Sequence, residues 1–321
     1  MRLGRQAGFS SRTKGMNDKL IVLIGGGGFV GRYVAQELLT AGARVRIAQR
    51  RPRDAWFLKP LGGLGQTQFV AADVTQPETI AAAVAGADAV VNLAGVLKGD
   101  FDGVNAAGAH AVAAAAKAAG VASLVHFSAL GADTDSASAY GRSRAAGEEA
   151  VRRAFPEAVI LRPSFVFGRE DQFTNRFAAM LGMGPVVPVL RAEVRFQPVY
   201  VVDVARAAVA ALAVSEKSAG KTYALGGPDT LTMAGLLHWL AEATGHKPAF
   251  AELPDPLGAL IAALPGTPIT RDQWRMLQAD NVAGDAPGLA ALGIEPTPLA
   301  SVAPAWLVRY RRNGRFAKLA A

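Results

Sequence analysis

Phosphate chemistry is the first thing these residue types suggest. The run Gly25-Gly-Gly-Gly-Phe-Val-Gly31 follows directly on the apolar stretch Leu20-Ile-Val-Leu-Ile24, and a helical pattern begins inside it. A strand entering a glycine loop that opens a helix is the context a dinucleotide fingerprint requires. Gly25, Gly28 and Gly31 allow a tight turn, a close backbone approach to pyrophosphate and close helix–strand packing. The phosphate then meets N–H groups at the helix N-terminus, where Phe29 and Val30 stand.

At the end of the second strand an acid ordinarily holds a ribose 2′-hydroxyl; here Gln49-Arg50-Arg51 stands instead. No carboxylate repels a 2′-phosphate there, and a guanidinium binds one through paired charge-assisted hydrogen bonds, so NADP(H) is the predicted cofactor. The plainer alternative is a solvated basic loop, since Arg53 follows. Asp73-Val74 after the third strand suits an adenine edge, and Asn92-Leu93-Ala94-Gly95 after the fourth lets backbone lie along a cofactor, although each also reads as a turn. The chain has no cysteine, and its histidines, His110, His126, His238 and His246, form no metal-ligand spacing, so no metal is expected.

These loops need a scaffold, and the sequence supplies one. Short β-rich runs at 20–24, 44–48, 68–70, 89–93, 124–128 and 159–161 alternate with Ala-rich helical stretches at 30–40, 78–85, 106–119 and 139–154. That alternation predicts an α/β fold, a Rossmann-type doubly wound parallel sheet. After Pro163, Pro and Gly become frequent and a smaller, mostly helical C-terminal domain is expected. The predicted division is a basic tail at 1–19, a nucleotide-binding domain at 20–165 to which 198–225 returns, and a second domain from 166–197 and 226–321. Residues 198–202 read as a strand of the first domain, and the apolar helix at 257–264 in the second as core rather than membrane contact.

With 321 residues and 51% hydrophobic content the chain can bury a substantial core. Its net charge of +8 suits an anionic partner, whether a phosphorylated cofactor, an acidic protein or an anionic membrane surface. Nucleic acid is not expected, because no recognised nucleic-acid-binding signature is present. No stretch reaches the ~20 apolar residues of a spanning helix. The first nineteen residues are basic and nearly free of acid, which suits an organellar transit segment, a basic tail or a start upstream of Met16.

These motifs resemble the extended and atypical short-chain dehydrogenase/reductase superfamily, with Ser128, Tyr140, Leu161-Arg-Pro163 and Val199-Tyr-Val-Val-Asp203 also standing at its motif positions. Phe165-Val-Phe-Gly-Arg-Glu-Asp-Gln-Phe-Thr-Asn175 is similar to a segment of the NAD(P)H-binding accessory subunits of respiratory complex I. The resemblance implies cofactor contacts from Ser128, Tyr140, Pro163 and Phe165. It also implies a catalytic Ser, Tyr and Lys, the Lys four residues after the Tyr, but Arg144 occupies that place. Ser128, Tyr140 and Arg144 are therefore expected to be cofactor contacts and vestiges of a catalytic site. The implied function is an NADPH-binding accessory subunit of NADH:ubiquinone oxidoreductase that passes no electrons, with the other subunits as partners. Its implied place is peripheral, on the cytoplasmic face of a bacterial inner membrane or the matrix side of a mitochondrial one. A free-standing NADP-dependent reductase, epimerase or dehydratase is the alternative. The basic, aromatic run Trp306-Leu-Val-Arg-Tyr-Arg-Arg312, with Arg315 and Lys318 beyond, is expected to lie on an anionic membrane or an acidic subunit, or else to form a solvated terminal helix.

Overall fold

The computed structural model describes residues 16–213, 218–265, 267, 269–311 and 314. Its centre is a seven-stranded sheet of β1 (Leu20–Ile24), β2 (Arg44–Gln49), β3 (Thr67–Ala71), β4 (Ala89–Asn92), β5 (Ser123–Phe127), β6 (Val159–Pro163) and β11 (Thr222–Leu225). The order is β11-β6-β5-β4-β1-β2-β3 and every pairing is parallel. Strand order reverses at β1, with Ile21 opposite Val45 of β2 on one side and Ala89 of β4 on the other. Such a reversal opens a crevice beyond the C-terminal strand ends.

Alternation along each strand feeds two cores. Ile21 and Leu23 pack with Val34 and Leu38 of α1 (Phe29–Thr40), Leu58 of the 3₁₀ helix Pro52–Leu61 and Val204 of α6 (Val201–Ala213). Val22 and Ile24 pack with Ile80 of α2 (Pro77–Val84), Val112 of α3 (Gly108–Ala118) and Val151 of α4 (Ala139–Ala154). Helices on both faces explain why the strands read as near-continuous apolar runs. The chain enters α3 earlier than the pattern predicts, through a π-helix at Asp102–Ala107. Buried Asn105 in that turn grips the backbone of Val96 at N and O and donates to Ser143 Oγ at 3.0 Å.

The remaining strands form small two-stranded sheets: β7 (Val166–Phe167) with β10 (Val199–Tyr200), β9 (Arg195–Phe196) with β12 (Leu231–Thr232), and β8 (Val186–Leu190) with β13 (Ala249–Leu253). The strand predicted at 198–202 thus pairs with β7 and not with the large sheet, whereas 222–225 does join that sheet beside β6. Around these ribbons lie α5 (Phe173–Leu181), α7 (Met233–Thr244), α8 (Asp255–Ala263) and α9 (Arg271–Met276).

Three expectations need correction. The apolar helix α8 is not core: only Gly258 and Ala262 are buried, while Leu257, Leu260 and Leu264 are 40%, 57% and 54% exposed. It rests on its glycine, where a Cβ would meet the Trp274 ring at 2.5 Å, so the leucines spaced three and four apart turn outward. The aromatic residues near the C-terminus do the reverse. Trp306 stacks on Tyr200 at 6.4 Å, Leu307 is buried, Tyr310 packs on the same cluster, and Arg309 donates to Arg169 O and Asn175 Oδ1. The rings that suggested an interfacial surface are therefore part of a protein core; Arg312, Arg315 and Lys318 lie outside the described residues. At the other end, residues 1–15 also lie outside them, but Met16 is buried against the first core, so the fold begins inside the segment read as a tail.

Candidate functional site

The glycine loop connects β1 to α1 at the strand-order reversal. Gly25 takes φ +80°, and a Cβ there would touch Ala94 N at 3.3 Å, so the loops after β1 and β4 lie against each other. At Gly31 a Cβ would be driven into the Gly26 backbone, which fixes the helix close on the loop. No side chain caps α1 and no acid sits in its first turn, where Phe29, Val30 and Gly31 stand. First-turn N–H groups without an intrahelical acceptor form an anion site.

Around this cradle the predicted residues take distinct positions. Gln49 ends β2 and accepts from Gly27 N at 3.0 Å while donating to Arg51 O at 2.7 Å. Arg51 pairs with Asp54 at 3.2 Å on the surface. Arg50 is exposed, with no carboxylate bonded to it among the described residues. Asp73 accepts from Thr75 N and Oγ1 through one oxygen, and these bonds, helped by Arg50, hold its carboxyl below the usual carboxylate range. Val74 lies against Gly108, where a Cβ would meet its Cγ2 at 2.7 Å. Leu93 and Ala94 pack partly into the two opposite cores.

At the far end of the crevice Gly95, Ser128, Tyr140 and Arg144 come together. Ser128 follows β5, and its buried hydroxyl has no hydrogen-bond partner among the described residues. Tyr140 is buried in the first turn of α4 with its ring edge-on to Phe101. Arg144, only 8% exposed, donates through Nε to Tyr140 Oη and through Nη1 to Phe127 O, both at 3.2 Å. Its guanidinium lies against Gly95, where any Cβ would collide with it. No carboxylate pairs with it among the described residues, so the crevice carries a buried, unneutralised positive charge. The same charge, after burial itself, pushes the neighbouring His126 imidazole down to about 3; its Nδ1 meets Asn92 Nδ2 at 3.1 Å.

Two further predicted contacts lie at and just after the end of β6. Pro163 ends β6, its carbonyl accepting from Leu130 N, and Phe165 places its ring 4.2 Å from Phe173 in a separate cluster with Phe167, Leu181, Leu236 and Trp306. Other residues carry no local sequence signal. Asp272 of α9 accepts from Ala139 N at 2.7 Å, Tyr140 N at 3.1 Å and Ser138 Oγ at 2.8 Å, capping the very helix that bears Tyr140. Asn281 Oδ1 accepts from Ser164 Oγ and Phe165 N. The Phe-Gly-Arg-Glu-Asp segment is a brace: Glu170 takes Tyr33 Oη at 2.6 Å and Arg32 at 3.2 Å from α1, and Asp171 accepts from Gly168 N and Thr174 N. Among the described residues no three His, Asp or Glu side chains could hold a metal ion, and no helix is long and apolar enough to cross a membrane.

An unobstructed helix N-terminus, glycines at close backbone contacts, a partnerless buried hydroxyl and an unneutralised guanidinium line one crevice, and these features fit a dinucleotide. Sheet order and cradle define a Rossmann protein of the epimerase and reductase class. The NAD dependent epimerase/dehydratase family pattern matches residues 21–226. The NADPH-dependent quinone oxidoreductase of Escherichia coli, solved with NADPH, superposes with TM-score 0.73 at 19% identity over 89% of this chain and 99% of that one. Among curated relatives, the mitochondrial NADH dehydrogenase (ubiquinone) 1 alpha subcomplex subunit 9 of Mus musculus is 38% identical over 293 residues, 86% of this chain and 76% of the relative. A ceramide reductase of Caulobacter vibrioides is 33% identical over 76% of this chain and 78% of its own. The chain belongs to the NAD dependent epimerase/dehydratase family and, within it, to the family of the alpha subcomplex subunit 9 proteins.

Proposed function

We propose that this protein is an NADPH-binding accessory subunit of the peripheral arm of an NADH:ubiquinone oxidoreductase, holding its nucleotide without passing electrons. The nucleotide-binding unit would comprise 20–165 with 198–225, and the second unit 166–197 with 226–321. In this reading the first-turn N–H groups at Phe29, Val30 and Gly31 bind the pyrophosphate. Arg50 takes the 2′-phosphate with Arg51 nearby, Asp73 and Val74 face the adenine, and Leu93, Ala94 and Gly95 run beneath the ribose. Ser128, Tyr140 and Arg144 meet the nicotinamide half, and Pro163 and Phe165 close the far wall.

The observation that carries the proposal is Arg144. An ammonium at this position would sit on a flexible stem as a point charge; the guanidinium instead is locked in its plane between Tyr140 Oη, Phe127 O and Gly95. That arrangement suits anchoring an anionic nucleotide better than assisting proton transfer at a substrate. Bound NADPH would supply a hydride in a catalytic relative. Here the Arg144 fork would hold the hydroxyls of the nicotinamide ribose.

A second reading, a free-standing NADP-dependent reductase, is favoured by the likeness to the ceramide reductase and by the retained Ser128 and Tyr140. Purification of the native oxidoreductase, with its chains and nucleotides identified by mass spectrometry, separates the two. The accessory reading expects this chain and NADPH in equal amounts in the assembly and no NADPH oxidation by the isolated chain on carbonyl lipids. Turnover by the isolated chain and its absence from the assembly would establish the reductase.

A further inference from the structure

Between β2 and β3 the chain runs through the 3₁₀ helix Pro52–Leu61, which buries Ala55 and Leu58 and leaves Arg53, Trp56, Phe57, Lys59 and Leu61 outside. Trp56 and Phe57 are 46% and 44% exposed, and Leu64 beyond them is fully exposed. Each ring already has a cation on its face. Lys59 Nζ stands 3.9 Å from the Trp56 centroid with Arg53 at 5.6 Å, and Arg32 of α1 stands 4.4 Å from Phe57. The carboxylates in reach are engaged, Asp54 by Arg51 and Glu170 by Arg32. Arg53 and Lys59 have none among the described residues.

We propose that this face is a docking surface for an acidic protein partner. The inference rests on the reading of the chain as a subunit. Tryptophan, phenylalanine and arginine together are the residue types that concentrate at the centres of protein interfaces. With cations on the ring faces, the surface calls for carboxylates beside apolar side chains, a combination that an acidic folded surface supplies. Carboxylates of the partner would pair with Arg53 and Lys59, and its apolar side chains would cover Trp56, Leu61 and Leu64. A second copy of this chain is a poor fit, since two such faces on molecules of net charge +8 repel. The surface also adjoins the nucleotide crevice, for Arg32 follows the glycine loop and Arg50 leads into the helix.

The test is incorporation of an Arg53→Glu/Lys59→Glu chain, and separately of a Trp56→Ala chain, into the oxidoreductase in cells lacking the natural copy. These side chains are exposed, so the melting temperature of the isolated variants is expected to be unchanged and their NADPH affinity to stay within about twofold of the parent. Incorporation is expected to fall roughly tenfold or more for the charge reversal and measurably for Trp56→Ala. Normal incorporation of both variants overturns the docking surface while leaving the accessory role standing; failure of the parent chain to incorporate overturns both. Binding to phosphatidylcholine vesicles is the second arm. If the parent binds vesicles only when phosphatidylglycerol is added and the charge reversal abolishes this, the face meets lipid and the protein partner is rejected.

Discussion

Adjacent arginines at the end of β2 have different tasks. Arg51 is tied to Asp54, while Arg50 is exposed and close enough to Asp73 to help keep its carboxylate charged. Losing one charge-assisted contact costs ~1.5–3 kcal/mol, so Arg50→Ala is expected to weaken NADPH binding by about tenfold or more and NADH binding hardly at all. Calorimetry with both nucleotides checks this, and equal affinities in the parent would remove the basis for NADP selectivity. Gly95 supplies a second test at the other end of the crevice. A methyl there must displace the Arg144 guanidinium from Tyr140 Oη and Phe127 O. Gly95→Ala is therefore expected to cost about 1–3 kcal/mol in urea unfolding and to weaken NADPH binding at the same time. His126 gives a pH signature. Its folded value of about 3 lies below the ordinary 6.5, so the unfolded chain binds the extra proton first. The neutral ring's contribution to stability is complete above 6.5 and is lost as pH falls from 6.5 toward 3, with a limiting slope of about 1.4 kcal/mol per pH unit. His126→Gln should flatten the fall in unfolding free energy over that window; an unchanged slope would mean that other groups dominate it.

Among the elements, α4 depends most on a distant partner. Its N-cap Ser138 accepts from Gly141 N, but the N–H groups of Ala139 and Tyr140 are taken by Asp272 of α9. A carboxylate at a helix N-terminus is favoured both by hydrogen bonding and by the helix dipole. Asp272→Asn is expected to lower stability by roughly 1–2 kcal/mol, read from the urea midpoint, and a change indistinguishable from zero would show that water replaces the cap. The glycine loop, the β2 terminus and α4 itself were legible in the sequence because turn chemistry and helical periodicity are local. Asp272 was not, because it lies 132 residues from Tyr140; nor was Glu170, 137 residues from Tyr33, nor Asn281, 117 from Ser164. Composition also identified α8 as an apolar helix without telling which side would be covered. There the close contact falls on Gly258, a residue with no hydrophobic signal at all.

The whole molecule is held together by braces between the nucleotide crevice and the C-terminal segments. Glu170 reaches α1, Asp272 caps α4, and Asp203 of α6 accepts Thr297 N at 2.7 Å. Arg309 belongs to this scheme, bonding the backbone of Arg169 and the side chain of Asn175, and Arg311 donates to Ala243 O at 3.4 Å. A cut before Arg309 would therefore remove core packing as well as charge. A cut after Arg311 leaves these bonds in place and removes Arg312, Arg315 and Lys318 together with Phe316 and Leu319. Deleting 312–321 is expected to leave melting temperature and NADPH affinity unchanged. If this segment makes the contact with an anionic membrane that its sequence leads one to expect, each lost cation removes about 1 kcal/mol of attraction. Binding to phosphatidylglycerol-containing vesicles should then fall by well over tenfold for three charges, and more steeply at low than at high salt. Unchanged vesicle binding would assign membrane association to some other surface, and loss of NADPH on the same truncation would mean that the C-terminal segment serves the crevice itself.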